Sequence, residues 1–295
     1  MTRFAIALST LVLASLGFAG RASALIDERD VAKLVSFGGA CSRCDLSGRR
    51  LTGARFAGAT FNDAAFVGSD LRGATFLGSS FQRAHLARAD LRGATMIGTD
   101  FTAADFTGAK LDGVEGPGST FLRANFAGAT LTGAEMPGAN FMFANLAGAR
   151  FGGAELVKTR FMHVNGREAD FTHAELDGAL LSSARFDDAV FRGASLDRAV
   201  LTRSVFDGAD FKGASLDGAI LIGADLSGAR GLRQSQLDEA CGDDKTRLPA
   251  GLKVKACRRA IILRTPPAPP APPTPPTQPT PRASAPARVV AASRG

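Results

Sequence analysis

From Leu46 to Leu226 every fifth residue is large and apolar, and no insertion breaks the frame. Of the 37 positions in this register, 17 are Phe, 16 Leu and 2 Met, and only Gly116 and Gly166 depart. Two residues before each centre the side chain is nearly always small, Ala at 27 of the 37, and two residues after it 23 are Gly. Neither a helix period of 3.6 nor a strand period of 2 yields a strict five. A fixed repeat this short specifies a solenoid of stacked units, and it overrides the two-domain prior that 295 residues would otherwise suggest. With 45% hydrophobic residues the chain has ample material for a core, which excludes wholesale disorder.

Runs such as Ala89-Asp90-Leu91-Arg92-Gly93, Ala124-Asn125-Phe126-Ala127-Gly128 and Ala224-Asp225-Leu226-Ser227-Gly228 resemble the A(D/N)LXX motif of pentapeptide-repeat proteins. The match covers residues 44–230. The resemblance implies an all-β solenoid, a right-handed quadrilateral β-helix with four pentapeptides per square coil and the centres pointing inward. The sequence supports a four-fold coil independently. Positions 20 apart would then stack, and positions 10 apart would face each other. One wall reads Leu51, Leu71, Leu91, Leu111, Leu131, Phe151, Phe171, Phe191, Phe211; the opposite wall reads Phe61, Phe81, Phe101, Phe121, Phe141, Phe161, Leu181, Leu201, Leu221. Eight of these nine pairs hold one Phe and one Leu, as a bore packed to constant density requires. Gly116 is expected to be compensated by Phe106 across the bore, and Gly116-Pro117-Gly118 marks a point where the rod can bulge or bend. Stacked strands ~4.8 Å apart make just over nine coils a rod roughly 44 Å long.

A solenoid exposes its core and backbone at each end unless capped. Residues 25–43 are expected to form an N-terminal cap with a short amphipathic helix at 27–37, and residues 231–264 a C-terminal cap. In the second, Ser235 is the expected helix cap, with the helix running through Asp238 or Glu239 and ended by Gly242. Cys41 to Gly48 also resembles the opening of exported pentapeptide-repeat proteins, and Leu237 to Gly242 with Leu248 to Leu252 resembles their ending. Four Cys permit three connectivities. Cys41 and Cys44 stand at the start of the rod and Cys241 and Cys257 beyond its end, too far apart for a disulfide to join, since Cα atoms must come within about 7 Å. Cys41–Cys44 and Cys241–Cys257 remain; the competing reading of the first pair is thiol redox chemistry or half a metal site.

Residues 1–24 read as a signal peptide: Arg3, the apolar run Phe4 to Gly20, then Ala22-Ser23-Ala24 as a cleavage pattern. The run is marginal for a membrane anchor, and no later segment offers a membrane span, so a periplasmic or secreted mature chain is expected. Residues 265–295 form a Pro-rich tail, an extended, disordered linker by composition. Charge sharpens the picture: residues 1–43 carry +2, residues 44–230 carry −2 and residues 231–295 carry +7. A nearly neutral body argues against a basic nucleic-acid groove and against a strongly acidic DNA mimic.

No catalytic, cofactor-binding or metal-ligating residue is assigned. His85, His163 and His173 fall on three different walls, and each Gly is explained by the period rather than by a phosphate loop. One outer wall stands out instead. Glu115, Glu135, Glu155 and Glu175 stack on it, followed by Asp177, Asp197 and Asp217, beside outward Leu77, Ile97, Pro117, Pro137 and Val157. Stacked carboxylates ~5 Å apart repel by roughly 0.8 kcal/mol per pair even in water. The adjoining wall adds Leu122, Met142, Phe143 and Met162. These residues form the candidate partner surface, a solvated face being the plainer alternative. The expected function is a non-catalytic exported scaffold for an unidentified protein or cell-envelope partner, with a homodimer through the lids left open. The alternative that the family resemblance suggests is a DNA-mimicking, topoisomerase-binding protein.

Overall fold

The computed structural model describes residues 39–257, so the signal segment, the helix expected at 27–37 and the Pro-rich tail lie outside the described residues. The residue before each centre forms a parallel bridge with the residue 20 positions on, from Ala40 and Thr60 without a break to Asp210 and Arg230. Four pentapeptides therefore make one coil with four walls, a β-solenoid. Wall 1 carries the centres Cys41, Phe61 and so on to Leu221; wall 2 runs from Leu46 to Leu226, wall 3 from Leu51 to Phe211 and wall 4 from Phe56 to Leu216. The coil opens at Ala40, ahead of the expected boundary at 44. Cys41 and Cys44 already occupy a centre and a small-residue position, so the expected cap loses residues 40–43 to the solenoid.

The five residues divide the backbone polar groups among them. In one repeat Phe101 N–H donates to Thr120 O (2.7 Å), Ala103 N–H to Leu122 O (2.7 Å) and Asp105 N–H to Ala84 O (2.9 Å), while Ala104 N–H closes the turn on Phe101 O (3.0 Å). Only the N–H just after the centre is left over. Asp100 takes it, its Oδ1 accepting from Thr102 N–H at 2.9 Å. This accounts for the frequency of Asp and Asn before the centres. The residue two after the centre is left-handed, with φ between 55° and 73°, in every turn from Cys41–Cys44 to Leu221–Ala224. That is the position where Gly costs least.

Centres and small residues point inward and are buried from Leu51 to Ala229, while Cys41, Cys44 and Leu46 at the open first coil are half-buried. Phe rings stack up wall 1 from Phe61 to Phe161, with Phe121 and Phe141 4.8 Å apart. The stack then moves to wall 3, from Phe151 to Phe211, with Phe151 and Phe171 4.9 Å apart. Phe151 and Phe161 meet edge to face at 6.1 Å where the two stacks overlap. The expected exchange of sizes across the bore is thus carried by two offset ring columns. The glycine centres are compensated differently from expectation. The heavy atoms nearest a side chain at Gly116 belong to Ser119 and to Met136 on the same wall, at 3.4 and 3.5 Å, not to Phe106. At Gly166, Phe186 of the next coil fills the space outright.

Two other expectations are corrected. Gly116-Pro117-Gly118 neither bulges nor interrupts the coil: Gly116 N–H reaches Glu135 O at 2.7 Å and Gly118 N–H reaches Pro137 O at 3.1 Å. Pro117 sits at the one position whose N–H the ladder does not use, so proline removes nothing there. The C-terminal helix α1 is Gln234–Leu237, with Arg233 in the N-cap position, Ser235 inside it and Asp238 at its end. Gln236 holds it to the coil: Oε1 accepts from Arg233 N–H (2.8 Å), and Nε2 donates to Phe211 O (2.9 Å) and Ala214 O (2.7 Å). Carbonyls of the last coil anchor this single turn, and Leu237 plugs the bore. Beyond it the path is rejoined with extra residues, Ile220 bridging Cys241 and Asp225 bridging Arg247. β1 (Cys241–Gly242) then pairs in parallel with β2 (Lys255–Ala256), and Gly242 belongs to this strand rather than to a helix end.

Phe141 and Phe143, two residues apart, test the inward and outward register. Phe141→Ala should cost about 3–5 kcal/mol in urea unfolding, whereas Phe143→Ala should stay within about 0.5 kcal/mol of the parent.

Candidate functional site

With the inner positions spent on the bore, the residues flanking each centre and the left-handed corner residue remain for chemistry, and the walls use them differently. On wall 3 several charges are paired. Asp70 accepts from Arg72 Nε (2.8 Å) and Nη2 (2.7 Å), and Asp90 accepts from Arg92 in the same way (2.8 and 2.6 Å). The Arg72 guanidinium holds the Asp70 carboxyl down at about 2, and Arg92 lowers Asp90 likewise. On wall 2 an amide ladder satisfies itself: Asn165 donates to Asn145 and Asn145 to Asn125, both at 2.9 Å.

Wall 4 differs. Glu115, Glu135, Glu155 and Glu175 are successive bridge partners, all exposed. Among the described residues none of the four carboxylates accepts a hydrogen bond or enters an ion pair. Sequence explains part of this. Pro117 and Pro137 follow two residues after Glu115 and Glu135, so no N–H there asks for a carboxylate. Beside the ladder run Leu77 (42% exposed) and Ile97 (43%), with Pro117, Pro137 and Val157 half-buried. The acidic run does not extend evenly into Asp177 and Asp197. Asp177 accepts from Ser195 Oγ and Asp197 N–H (3.1 Å), and Asp197 from Ser215 Oγ and Asp217 N–H (3.2 Å), so both tie one coil to the next.

Leu122, Met142 and Met162 stack half-buried on wall 1, and Phe143 projects beside them. The candidate surface therefore lies on two adjoining walls that meet at a corner. The sequence reading missed a feature of that second wall. The Phe143 ring stacks on His163 at 4.8 Å and 4°, and the Arg123 guanidinium lies 5.9 Å from the Phe143 centroid. The 20-residue spacing of Arg123, Phe143 and His163 was the available signal.

The structure pairs Cys41 with Cys44 (Cα atoms 5.5 Å apart) and Cys241 with Cys257 (4.8 Å), one disulfide at each end of the described coil. Among the described residues no cluster of His, Cys, Asp and Glu is arranged to hold a metal, and no helix is long and apolar enough to cross a membrane.

A four-walled coil of 20 residues, a left-handed residue in each turn and a bore of Phe, Leu and Ala define a repeat solenoid, and the comparisons agree. The chain belongs to the pentapeptide repeat family: the model described as "Pentapeptide repeats (8 copies)" matches residues 41–76, 79–114, 118–142, 144–182, 184–221 and 194–230. Among solved structures it is similar to HetL, a pentapeptide repeat protein involved in heterocyst differentiation regulation from the cyanobacterium Nostoc sp. strain PCC 7120. The identity is 24%, over 74% of this chain and 96% of that one, with a TM-score of 0.36. It is also similar to QnrB1, a plasmid-mediated fluoroquinolone resistance protein, at 18% identity over 70% and 93% with a TM-score of 0.29. A pentapeptide repeat protein from the Arabidopsis thaliana thylakoid lumen is 29% identical over 37% and 70%, with a TM-score of 0.27. Membership rests on the repeat match and not on these superpositions. No curated protein matches the chain.

The Arg72–Asp70 pair yields a pH test. Because the folded carboxyl titrates at about 2, below the ordinary 3.8 of a free aspartate, its contribution is present above pH 3.8 and is lost as pH falls through about 2. Arg72→Ala should move the Asp70 titration, followed by carboxyl NMR, back toward the ordinary range. Any stability difference from the parent should disappear below pH 2.

Proposed function

We propose that this protein is an exported, non-catalytic scaffold whose walls present side chains to a protein or cell-envelope partner. The right hand of the coil is carried over from the family resemblance, and export from the signal-like residues 1–24 and the paired cysteines. The observation that carries the reading is wall 4: four stacked carboxylates with no partner among the described residues, beside an apolar strip, on a rod whose ladder holds them in place. Like charges at this spacing oppose each other, so the fold gains nothing from them. A cationic partner would relieve that repulsion. Catalysis has no support in the constellation of side chains, since the three histidines stand on separate walls.

A DNA-mimicking, topoisomerase-binding role is the second reading, favoured by the family resemblance alone. It fits the charge pattern poorly, because residues 44–230 carry a net charge of only −2 and Asp70, Asp90 and Asp210 on wall 3 are paired with arginine.

Crosslinking from wall 4 in native cells tests the scaffold reading. Glu135→Lys with Glu155→Lys should lower recovery of the crosslinked partner about tenfold or more, and unchanged recovery removes wall 4 from the account. Cell fractionation should place the mature chain outside the cytoplasm; wholly cytoplasmic protein would restore the topoisomerase-binding alternative.

A further inference from the structure

One edge of the rod departs from the glycine rule. In the turns from Cys41 to Ala224, 22 of the 37 left-handed residues are Gly. Yet on the edge where wall 1 turns into wall 2, nine successive turns, from Arg43 to Arg203, all carry a side chain, against six of the 27 on the other three edges. A left-handed backbone crowds a Cβ against the carbonyl, so each such residue forgoes stability that glycine would return. The extreme case is Phe143, a bulky residue at φ 60° with 48% of its surface exposed.

The surroundings of Phe143 have a definite chemistry. From Thr120 to Ile222 the outward positions of wall 1 hold no carboxylate. They hold Arg123, Arg160 and Arg203, all exposed and none in an ion pair among the described residues. Between these cations lie Met142 and Met162, half-buried, and the Phe143–His163 stack. Arg, aromatic and Met side chains on a flat surface are the composition of a protein-binding hot spot, and Met adapts to irregular apolar partners. A nucleic acid is the poorer fit, because half-buried Met142, Met162, Leu180 and Val200 separate the three arginines and offer phosphates no partner.

We propose that this edge, centred on Phe143 and flanked by Arg123 and Arg160, docks an acidic polypeptide segment that carries apolar side chains. The inference rests on the scaffold reading and gives it a second surface, opposite in charge to wall 4. Arg123 to Arg203 spans four coil steps, roughly 19 Å, the length of about six extended residues.

The test uses the full-length oxidised protein and labelled peptides of about twelve residues. One alternates Glu with Leu and Phe; a second replaces Glu by Lys; a third replaces Leu and Phe by Ser; a single-stranded oligonucleotide of similar length is the fourth probe. The acidic apolar peptide should bind at least about tenfold more tightly than the other three. Phe143→Gly and Arg160→Glu should each weaken it about tenfold, while Glu135→Lys should not. Phe143→Gly should leave the thermal midpoint unchanged or raise it by about 1–3 °C, through relief of the backbone. A lowered midpoint would assign Phe143 to the fold and overturn the proposal. Absence of peptide binding, or equal binding of any control probe, overturns it as well. If the peptide fails while a partner is still captured through Glu135 and Glu155, the edge inference falls and the scaffold reading stands; if both fail, both fall.

Discussion

The hydrogen bond from the N–H of each centre to the carbonyl one coil above, 2.7 Å between Phe101 and Thr120, sets a spacing of 20 residues that nothing in the coil can locally escape. Once one wall is paired at that spacing, the other three follow, because each wall contributes one pentapeptide to every turn of the chain. The bore then has constant width. Its contents must sum to a constant volume coil after coil, so a Phe column on one wall obliges a Leu column opposite, and the columns change sides together between Phe151 and Phe161.

This constraint divides the repeat into fold and function. Two of the five residues fill the bore, while the left-handed corner residue and the two flanking the centre face outward. The use of the flanking two differs from wall to wall because the backbone asks little of them. A side chain at the first can satisfy the stray N–H, as Asp100 does; a proline at the second removes the need, as Pro117 does. Where the need is removed, a carboxylate such as Glu115 or Glu135 has no task inside the coil. Wall 3 pairs several of its charges, wall 2 bonds its amides to each other, and walls 1 and 4 carry opposite charge beside apolar side chains. Such a rod can offer different partners different faces without any change in its core.

The errors of the sequence reading have physical causes. Gly116-Pro117-Gly118 looks like a chain break because glycine and proline usually punctuate structure, yet here Pro117 sits at the single position whose N–H is unused. Ser235 looks like a helix cap by composition, but the helix is held by Gln236 reaching the last coil's carbonyls, a contact 22 to 25 residues distant in sequence. Asp177 and Asp197 look like a continuation of the acidic run, and are instead turned onto the N–H groups of the coil above. In each case the pairing between coils some 20 residues apart decides what a residue type with a familiar local role can do.

The primary structure alone determined the architecture, the inward register, the four-fold coil and which cysteines pair, because a strict period of five with paired Phe and Leu leaves one arrangement that fills a bore of constant width. It also placed Glu115 to Glu175 in one column. Only the tertiary structure decided which outward groups are spoken for: that Asp70 is gripped by Arg72, that the Glu ladder has no partner among the described residues, and that Phe143 lies against His163 with Arg123 beside it. The reason is distance. Volume and period are properties of every repeat and can be counted along the chain, whereas a hydrogen bond or a ring stack depends on the direction a side chain takes once the coils above and below it are in place.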